Sequence, residues 1–275
     1  QPTISAHISS LEKELNARLF VRNTKEVKLS DDGKDLYRYA RQMIDLQKKI
    51  EERFETGKEE SKHLITIAAS TIPAQYLLPK ILMKFNERYP KEQVKLLETD
   101  SSQVVTQIID HMVDVGFTGT VLEKKHCKYI PFYKDELVVI TPNTEKYQKL
   151  LEDMPDDISW ISGEHLIMRE EGSGTRKEAG KQLRAAGINL DKLKIIASIE
   201  NQETIKKSVK QGMGISVISR LAAEDEVKYG DILAFSIPKA DQGRDINLVY
   251  NKNYQMSKST ERFVKIVKEV YGIEE

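Results

Sequence analysis

The sequence predicts an α/β protein in which an N-terminal helix, a β-hairpin and a long helix precede two α/β lobes joined by two crossovers. Two observations lead to this prediction. An apolar seam with alternating steps of four and three runs through residues 31–54, which is typical of a long helix. After a polar stretch at residues 56–62, strand-like and amphipathic helix-like segments alternate as far as residue 271. We expect domains at residues 1–30, 31–57 and 58–275.

The composition restricts the class of protein. Hydrophobic residues make up 39% of the 275 residues and charged residues 31%, which is typical of a globular chain rather than a disordered one. The longest apolar runs, such as Leu137–Ile140, are far shorter than the roughly 20 residues of a membrane span, so we expect no membrane partner. The single cysteine, Cys127, excludes an internal disulfide and fits a reducing cytoplasm, where we expect the protein. The histidines show no ligand spacing, and we expect neither a metal nor a cofactor.

The opening segment has the pattern of a helix. Its apolar residues recur at steps of four and three, and they are Ile4, Ile8, Leu11, Leu15 and Leu19. Pro2 suits the first helical turn, where its missing N–H is no loss. The intervening positions carry short polar side chains, which are common on any solvated surface. Helices that read DNA use such an N-terminal end, however. Residues 13–28 hold five basic and two acidic residues, although the 43 basic and 43 acidic residues of the whole chain cancel.

A hairpin and a long helix follow. Phe20–Arg22 and Val27–Leu29 flank a turn with Asn23, which predicts a β-hairpin, the wing of a winged helix. Ser30 caps the next helix. Its seam contains Leu36, Ala40, Met43, Gln47, Ile50 and Phe54. A helix over 31–54 spans about 36 Å and buries little surface alone. We expect it to pair with a second copy; packing on its own domain is the alternative.

The strand and helix patterns of residues 64–271 predict two lobes. In the first we expect strands over Leu64–Ala69, Val94–Leu97, Val115–Thr118 and Tyr129–Tyr133, with helices over Tyr76–Tyr89 and Ser102–Met112. In the second we expect strands over Leu137–Thr141, His165–Met168, Lys194–Ser198, Ile215–Ser219 and Ile232–Phe235, with helices over Thr175–Ala186 and Gln202–Gln211. The βαβαβ order implies parallel sheets. Strand Asp245–Tyr250 and helix Lys258–Tyr271 return to complete the first half. Lobe I then covers residues 64–134 and 239–275, and lobe II covers residues 137–236.

Four segments at the ends of strands or the starts of helices could hold a ligand in the cleft between such lobes. The candidate residues are Ser70, Thr71, Gln75, Thr118, Gly119, Ser173, Gly174, Thr175, Asn201 and Gln202. Hydroxyls and free N–H groups at helix N-termini favour a small carboxylate, phosphate or sulfur oxyanion, with Arg169 or Arg176 as a counter-charge. Each segment alone also fits an ordinary helix cap. The site therefore depends on their convergence.

The sequence gives little support for catalysis, and we assign no catalytic residue. Gly172-Ser173-Gly174 lacks the spacing of a nucleophile elbow, and no histidine is placed by the sequence to serve Ser173. The chain has no phosphate-binding Gly-x-x-x-x-Gly-Lys motif. We therefore expect a protein that is not an enzyme.

Three motifs resemble the LysR family of transcriptional regulators: Gln1-Pro2-x-x-Ser5, Leu11-Glu12-x-x-Leu15 and Leu19-Phe20-x-Arg22. The segment from Arg169 to Arg176 is similar to one in the regulators of sulfur assimilation and carbon-dioxide fixation. The resemblance implies a partial winged helix-turn-helix, because the family carries two helices ahead of this point. It also implies a two-lobed effector domain of the type 2 periplasmic-binding-protein fold.

The resemblance further implies roles and partners. Major-groove contacts fall to Gln1, Pro2, Thr3, Ser5 and His7, and wing contacts near phosphate or the minor groove to Arg22 and Lys25. The expected partners are double-stranded promoter DNA, a small-molecule effector and further copies in a homodimer or homotetramer, with RNA polymerase as an additional candidate. The effector would change DNA binding allosterically. The alternative function is a solute-binding protein of a transport system with the same two lobes.

Overall fold

A computed structural model describes residues 2–22, 27–54, 64–153, 157–238 and 243–273. The hairpin turn predicted at residues 23–26 and the polar linker at residues 56–62 lie outside these ranges. The chain forms two compact units. The first contains one helix, a hairpin and a long helix, and the second contains two five-stranded sheets with their helices.

The first unit consists of helix α1 (Pro2–Glu14), strands β1 (Phe20–Arg22) and β2 (Val27–Leu29) and helix α2 (Asp31–Phe54). The two strands pair in antiparallel register, so the predicted hairpin and both predicted helices are confirmed. The Glu12 carboxylate accepts hydrogen bonds from the backbone N–H groups of Leu19, at 2.7 Å, and Phe20, at 3.3 Å. These bonds fix the chain between α1 and the hairpin.

The start of α2 is tied to β1. The Ser30 hydroxyl caps the helix by accepting the backbone N–H of Gly33 at 2.9 Å. The Leu19 carbonyl lies against Gly33, since a Cβ added there would be only 2.0 Å from the carbonyl oxygen. Glycine at this position therefore permits a close backbone approach that no other residue allows.

The first lobe of the second unit is built on strands β3 (Leu64–Ala69), β4 (Gln93–Glu98), β5 (Val115–Thr118), β6 (Cys127–Asp135) and, from the far end of the chain, a strand over Arg244–Asn251. The sheet order is β4, β3, β5, the Arg244–Asn251 strand and β6. The first three strands are parallel, and the returning strand is antiparallel to both of its neighbours. The predicted return of this strand to the first half is confirmed.

The helices of this lobe begin close to their predicted positions. They are a single π-helical turn (Pro73–Leu77) that leads into α3 (Leu78–Arg88), then α4 (Ser101–Ile109) and a C-terminal helix (Lys258–Tyr271). The prediction that α4 extends to Met112 is wrong. His111 adopts a φ of 55°, in the left-handed region, so the right-handed helix ends before it.

The second lobe contains strands β7 (Leu137–Pro142), β8 (His165–Met168), β9 (Lys194–Ser198), β10 (Ile215–Ser219) and β11 (Ile232–Ser236) in the order β11, β7, β10, β8, β9. The strand over Arg244–Asn251 is accordingly β12. The helices are α5 (Glu145–Glu152), α6 (Gly174–Ala185), α7 (Gln202–Lys210) and α8 (Arg220–Lys228), so the C-terminal helix is α9. Strands β8, β9 and β10 are parallel, and β7 is antiparallel to β10 and β11.

Two crossovers join the lobes, one between β6 and β7 at Glu136 and one between β11 and β12. A single cluster of buried apolar side chains continues through both lobes, from Ile72 and Leu77 in the first to Ile205 and Ala222 in the second. No described helix is long and apolar enough to cross a membrane. The predicted α/β architecture with two crossovers is confirmed.

Candidate functional site

Three helical segments begin at the boundary between the two lobes, and each follows the carboxyl end of a parallel strand. Strand β3 leads through Ser70 into the helical turn at Thr71, β4 leads through Asp100 into α4, and β8 leads into α6. Between them lies a cleft with an empty volume of about 250 Å³ that is partly open to solvent. Its lining residues are Ser70, Thr71, Ile72, Thr99, Asp100, Ser101, Arg169, Glu170, Ser173, Gly174, Thr175 and Arg244.

The caps of these helices have local sequence causes. The Asp100 carboxylate accepts the backbone N–H groups of Ser102, at 2.7 Å, and Gln103, at 3.0 Å, which fixes the start of α4. The Ser173 hydroxyl accepts the backbone N–H of Arg176 at 3.4 Å, a long hydrogen bond at the start of α6. Helix N-termini keep unpaired N–H groups and a partial positive charge, so their convergence favours an anionic group in the cleft.

Two buried polar side chains near the cleft lack a complete set of partners. Ser101 is 1% exposed, and its hydroxyl has no hydrogen-bond partner among the described residues. The Gln202 side chain is also buried. Its oxygen accepts a weak bond at 3.5 Å from Nη1 of Arg169, and its Nε2 has no partner within the described chain. Buried polar groups are normally paired, so the Ser101 hydroxyl, which belongs to the cleft lining, is left for a polar ligand.

Two guanidinium groups reach the cleft, and each is held by a carboxylate. Arg169 donates to both oxygens of Glu170, at 2.8 and 2.9 Å, and Nη2 also lies 3.4 Å from the Thr71 hydroxyl of the other lobe. Arg244 donates from Nε to Asp135 at 2.8 Å and from Nη1 to the Thr175 hydroxyl at 2.9 Å. Both arginines therefore bridge the two lobes.

The Arg244–Asp135 pair lies at the crossovers. Arg244 is the first residue of β12 and Asp135 the last of β6, and the two are direct register partners. Asp135 also accepts the Ser219 hydroxyl of the second lobe at 2.5 Å. At the adjoining crossover residue, hydrogen bonds from Arg220 lower the pKa of the Glu136 carboxyl below its ordinary value. Cleft and crossovers are thus parts of one polar network.

Glycines allow the lobes to meet closely at the cleft. A Cβ added to Gly174 would lie 2.6 Å from the Ser101 hydroxyl, and one added to Gly172 would lie 2.8 Å from the Asp100 carboxylate. In both cases the backbone of the second lobe lies against a polar side chain of the first. The arrangement leaves space for a small ligand only.

The structure brings together five of the ten residues that the sequence suggested for the cleft: Ser70, Thr71, Ser173, Gly174 and Thr175. The others lie outside the lining. Gln75 is exposed and donates to both oxygens of Glu98 at 3.0 and 3.2 Å. Thr118 is buried and donates to the carbonyl of Thr120.

The remaining suggested residues lie outside the cleft lining and make other contacts. Gly119 makes room for Arg244, since an added Cβ would lie 3.0 Å from Cζ of the guanidinium. Asn201 caps α7 by accepting the backbone N–H of Thr204 at 2.9 Å. Gln202 contacts Arg169. Arg176, considered as a counter-charge, donates to the backbone carbonyl of Arg169 at 2.9 Å.

Sequence reasoning missed the lining residues Thr99, Asp100, Ser101 and Arg244, and it did not single out Ile72 or Glu170. The first three follow a predicted strand and precede a predicted helix, so the rule applied to Ser70 and Thr71 would have found them. Arg244 gave no such signal, because it begins a strand and its partner Asp135 is 109 residues away.

The residues suggested for DNA contact belong to the first unit. Ser5 and His7 are exposed on α1, which also contains Pro2 and Thr3. Arg22 is the last residue of β1. Gln1 and Lys25 lie outside the described residues. The described part of the chain contains no cluster of metal-ligating side chains.

Comparison with known families identifies the chain. The model named LysR substrate binding domain matches residues 58–272, and the model named bacterial regulatory helix-turn-helix protein, lysR family, matches residues 1–34. The chain belongs to the LysR family. It is a LysR-type transcriptional regulator with an effector-binding domain, and its family consists of regulators rather than enzymes, as the sequence predicted.

Curated relatives agree with this assignment. An uncharacterized HTH-type transcriptional regulator of Methanocaldococcus jannaschii, MJ0300, is 30% identical over 98% of this chain and 90% of its own length. The regulator CysL of Bacillus subtilis is 26% identical over 98% of this chain and 89% of its own length. A probable RuBisCO transcriptional regulator of Porphyra purpurea is 27% identical over 96% of this chain and 83% of its own length. The suspected likeness to the sulfur and carbon-fixation branch is confirmed.

Solved structures share the fold. The regulatory domain of CcmR from Synechocystis PCC6803, in complex with 2-PG, superposes with a TM-score of 0.67 at 24% identity and covers 76% of this chain and 97% of that chain. The effector-binding domain of QuiR in complex with shikimate gives 0.68 at 17% identity, covering 77% and 98%. The LysR regulator CbnR gives 0.70 at 18% identity, covering 98% and 90%.

Proposed function

We propose that this LysR-type regulator senses a small anionic metabolite in the cleft between its lobes and changes its binding to promoter DNA in response. The observation that carries the proposal is the convergence of three helix N-termini on the buried Ser101 hydroxyl, which has no partner among the described residues. Hydroxyls and backbone N–H groups at helix N-termini are suited to bind an oxyanion. The solved relatives QuiR and CcmR, whose structures hold shikimate and 2-PG, have the same fold.

The first unit supplies the proposed DNA contact. The N-terminal turns of α1 carry exposed short side chains at Ser5 and His7, which can approach base edges in the major groove. Arg22, at the end of β1, and Lys25 would add affinity for phosphate that depends on salt but not on sequence. A protein that binds promoter DNA would work in the cytoplasm. The CbnR structure in complex with its target DNA supports this assignment by fold.

Helix α2 is the proposed dimerisation element. Several apolar side chains on it are exposed, namely Tyr37, Tyr39, Met43, Ile44, Leu46 and Ile50, and Met43 is 72% exposed. An isolated helix with this much exposed apolar surface gains free energy when it packs against another helix. A second copy of the chain is the proposed partner, and dimers of dimers would give the homotetramer.

Ligand binding would affect DNA binding through the relative arrangement of the two lobes. A ligand in the cleft contacts both lobes, and Arg169 and Arg244 each form hydrogen bonds across the same boundary. It therefore favours one lobe arrangement over another by differential contacts. In an oligomer that preference would alter the spacing of the DNA-binding helices. RNA polymerase remains an additional candidate partner.

Two substitutions test the cleft. Thr71→Ala and Ser173→Ala each remove a lining hydroxyl, and we expect each to weaken binding of the best small anion from a thermal-shift screen by about three- to tenfold. Thr204→Ala, on α7 and outside the lining, is the matched control and should leave the affinity unchanged. If both cleft variants bind that anion with unchanged affinity, the cleft is not the sensing site.

A further inference from the structure

We propose that the cleft selects a small ligand with a single negative charge that also carries hydrogen-bond donors, such as a hydroxylated or amino monocarboxylate, and that Asp100 and Glu170 exclude multiply charged anions. This inference rests on the proposed anion site and narrows its ligand. Sequence reasoning left carboxylates, phosphates and sulfur oxyanions equally open. The acidic side chains in the lining distinguish among them.

The charge balance of the cleft is the first argument. Its two guanidiniums, Arg169 and Arg244, face three carboxylates: Glu170, Asp100 and Asp135, the last of which lies directly behind Arg244. Glu170 and Asp135 each form an ion pair, whereas Asp100 forms none with any described residue. The ionised side chains therefore leave the site without an excess positive charge for a dianion.

The helix N-termini compensate for about one negative charge. Each contributes roughly half an elementary positive charge. At α4 the Asp100 carboxylate already accepts two of the N–H groups. The turn at Thr71 and the start of α6 remain, and together they offer about one positive charge to a ligand. The single negative charge of a carboxylate matches this positive charge, whereas the charge of a phosphate ester, about −1.5 to −2, exceeds it.

The polar atoms of the lining require donors on the ligand. Carboxylate oxygens of Asp100 and Glu170 accept hydrogen bonds but donate none when ionised. The Ser101 hydroxyl can donate to a ligand carboxylate, which would satisfy its missing bond. A ligand with hydroxyl or amino groups near its carboxylate can satisfy both kinds of atom.

Binding of three probes to the full chain tests the proposal by isothermal titration calorimetry. Glycerate has one charge and two hydroxyls, propionate has one charge and no donor, and 2-phosphoglycerate adds a phosphate ester. We expect glycerate to bind about tenfold or more tightly than either of the others, because the phosphate meets carboxylates and propionate leaves them without donors.

Asp100→Asn isolates the effect of charge. Asparagine caps a helix about as well as aspartate, so α4 should keep its start while the cleft loses one negative charge. We expect the preference for glycerate over 2-phosphoglycerate to fall by about tenfold. Glu98→Gln is the matched control, because it removes the same charge two residues earlier, at an exposed side chain that contacts Gln75. It should leave the preference unchanged.

The outcomes separate this inference from the proposed function. Tighter binding of 2-phosphoglycerate than glycerate to the unaltered chain overturns the charge argument but preserves the anion site. An unchanged preference in Asp100→Asn, with the helical circular dichroism intact, likewise overturns the role of Asp100. If none of the three probes binds, the anion site itself is wrong and the proposed function fails with it.

Discussion

Replacing Ser101 with alanine should stabilise the free protein and weaken its ligand binding at the same time. The Ser101 hydroxyl is buried, with 1% of the residue exposed, and has no partner in the described chain. A buried polar group without a hydrogen bond costs about 1–3 kcal/mol of stability. Ser101→Ala removes that group, and we expect the free energy of unfolding to rise by about 1 kcal/mol. For a domain of this size that corresponds to an increase in Tm of about 2–4 °C.

Ligand binding should change in the opposite direction. A hydrogen bond from Ser101 to a charged ligand contributes about 1.5–3 kcal/mol, so its loss should weaken binding by roughly ten- to hundredfold. Thermal unfolding of the full chain, with and without the best-binding carboxylate, measures both effects. Ser102→Ala is the matched control, because Ser102 is the exposed next residue of α4 and its hydroxyl donates a long hydrogen bond, of 3.4 Å, to the Gly172 carbonyl. Its stability should change by less than about 0.5 kcal/mol.

The signs of the two effects decide the outcome. A lower Tm for Ser101→Ala in the absence of ligand would show that the hydroxyl has a partner in the free protein. A higher Tm with unchanged affinity would show that Ser101 does not face the ligand. Either result refutes the reasoning that connects the unpaired hydroxyl to ligand binding.

Three further predictions concern stability and reactivity. Asp135→Asn leaves the buried Arg244 without its counter-ion and should lower the free energy of unfolding by about 3–5 kcal/mol in urea denaturation. Gly33→Ala should lower the Tm of the first unit despite the higher helix propensity of alanine, because its Cβ would lie 2.0 Å from the Leu19 carbonyl oxygen. Burial raises the pKa of the Cys127 thiol to about 11, so a thiol reagent at pH 8 should label it in urea far faster than in the native protein.

Each of these predictions has its own control. Asp245→Asn breaks an exposed pair with Lys134 and should cost less than about 1 kcal/mol; an equal loss in both variants would contradict the importance of burial. For Gly33→Ala, an unchanged or higher Tm would mean that the backbones of Gly33 and Leu19 do not approach closely. For Cys127, the raised pKa keeps the native thiol neutral while the unfolded thiol ionises near pH 8.5. Stability should therefore fall as pH rises from about 8.5 to 11, and Cys127→Ala should remove that part of the slope.

The sequence predicted the parts of the fold that local physics determines. Helix α2 and the two hairpin strands have the bounds that the apolar seam and the turn indicated. Helices α5 and α8 were not predicted, because they bury few large apolar side chains. In α8 the buried residues are Ala222 and Ala223, and in α5 only Tyr147 is buried among the residues of the helix.

Some residues of the candidate site were likewise predictable from the local sequence, and others were not. Ser70, Thr71 and the Ser173–Thr175 segment were predictable, because they follow strands and begin helices. Thr118 was suggested because it also ends a strand, but its hydroxyl donates to the Thr120 carbonyl. The strand pattern does not reveal which partner this hydroxyl has. Arg244 could not be predicted at all, since its place beside the cleft depends on pairing between strands that are distant in sequence. Non-local contacts of this kind appear only in the folded structure.

The central claim is that occupation of the cleft controls DNA binding. DNase I footprinting of the full-length protein on its own promoter region, with and without the best-binding carboxylate, tests it most directly. The proposed mechanism predicts that the ligand changes the length or pattern of the footprint, and that Ser101→Ala shifts this response to ligand concentrations higher by roughly ten- to hundredfold. A footprint that is identical at saturating ligand, for a ligand whose binding Ser101→Ala weakens, would contradict the claim.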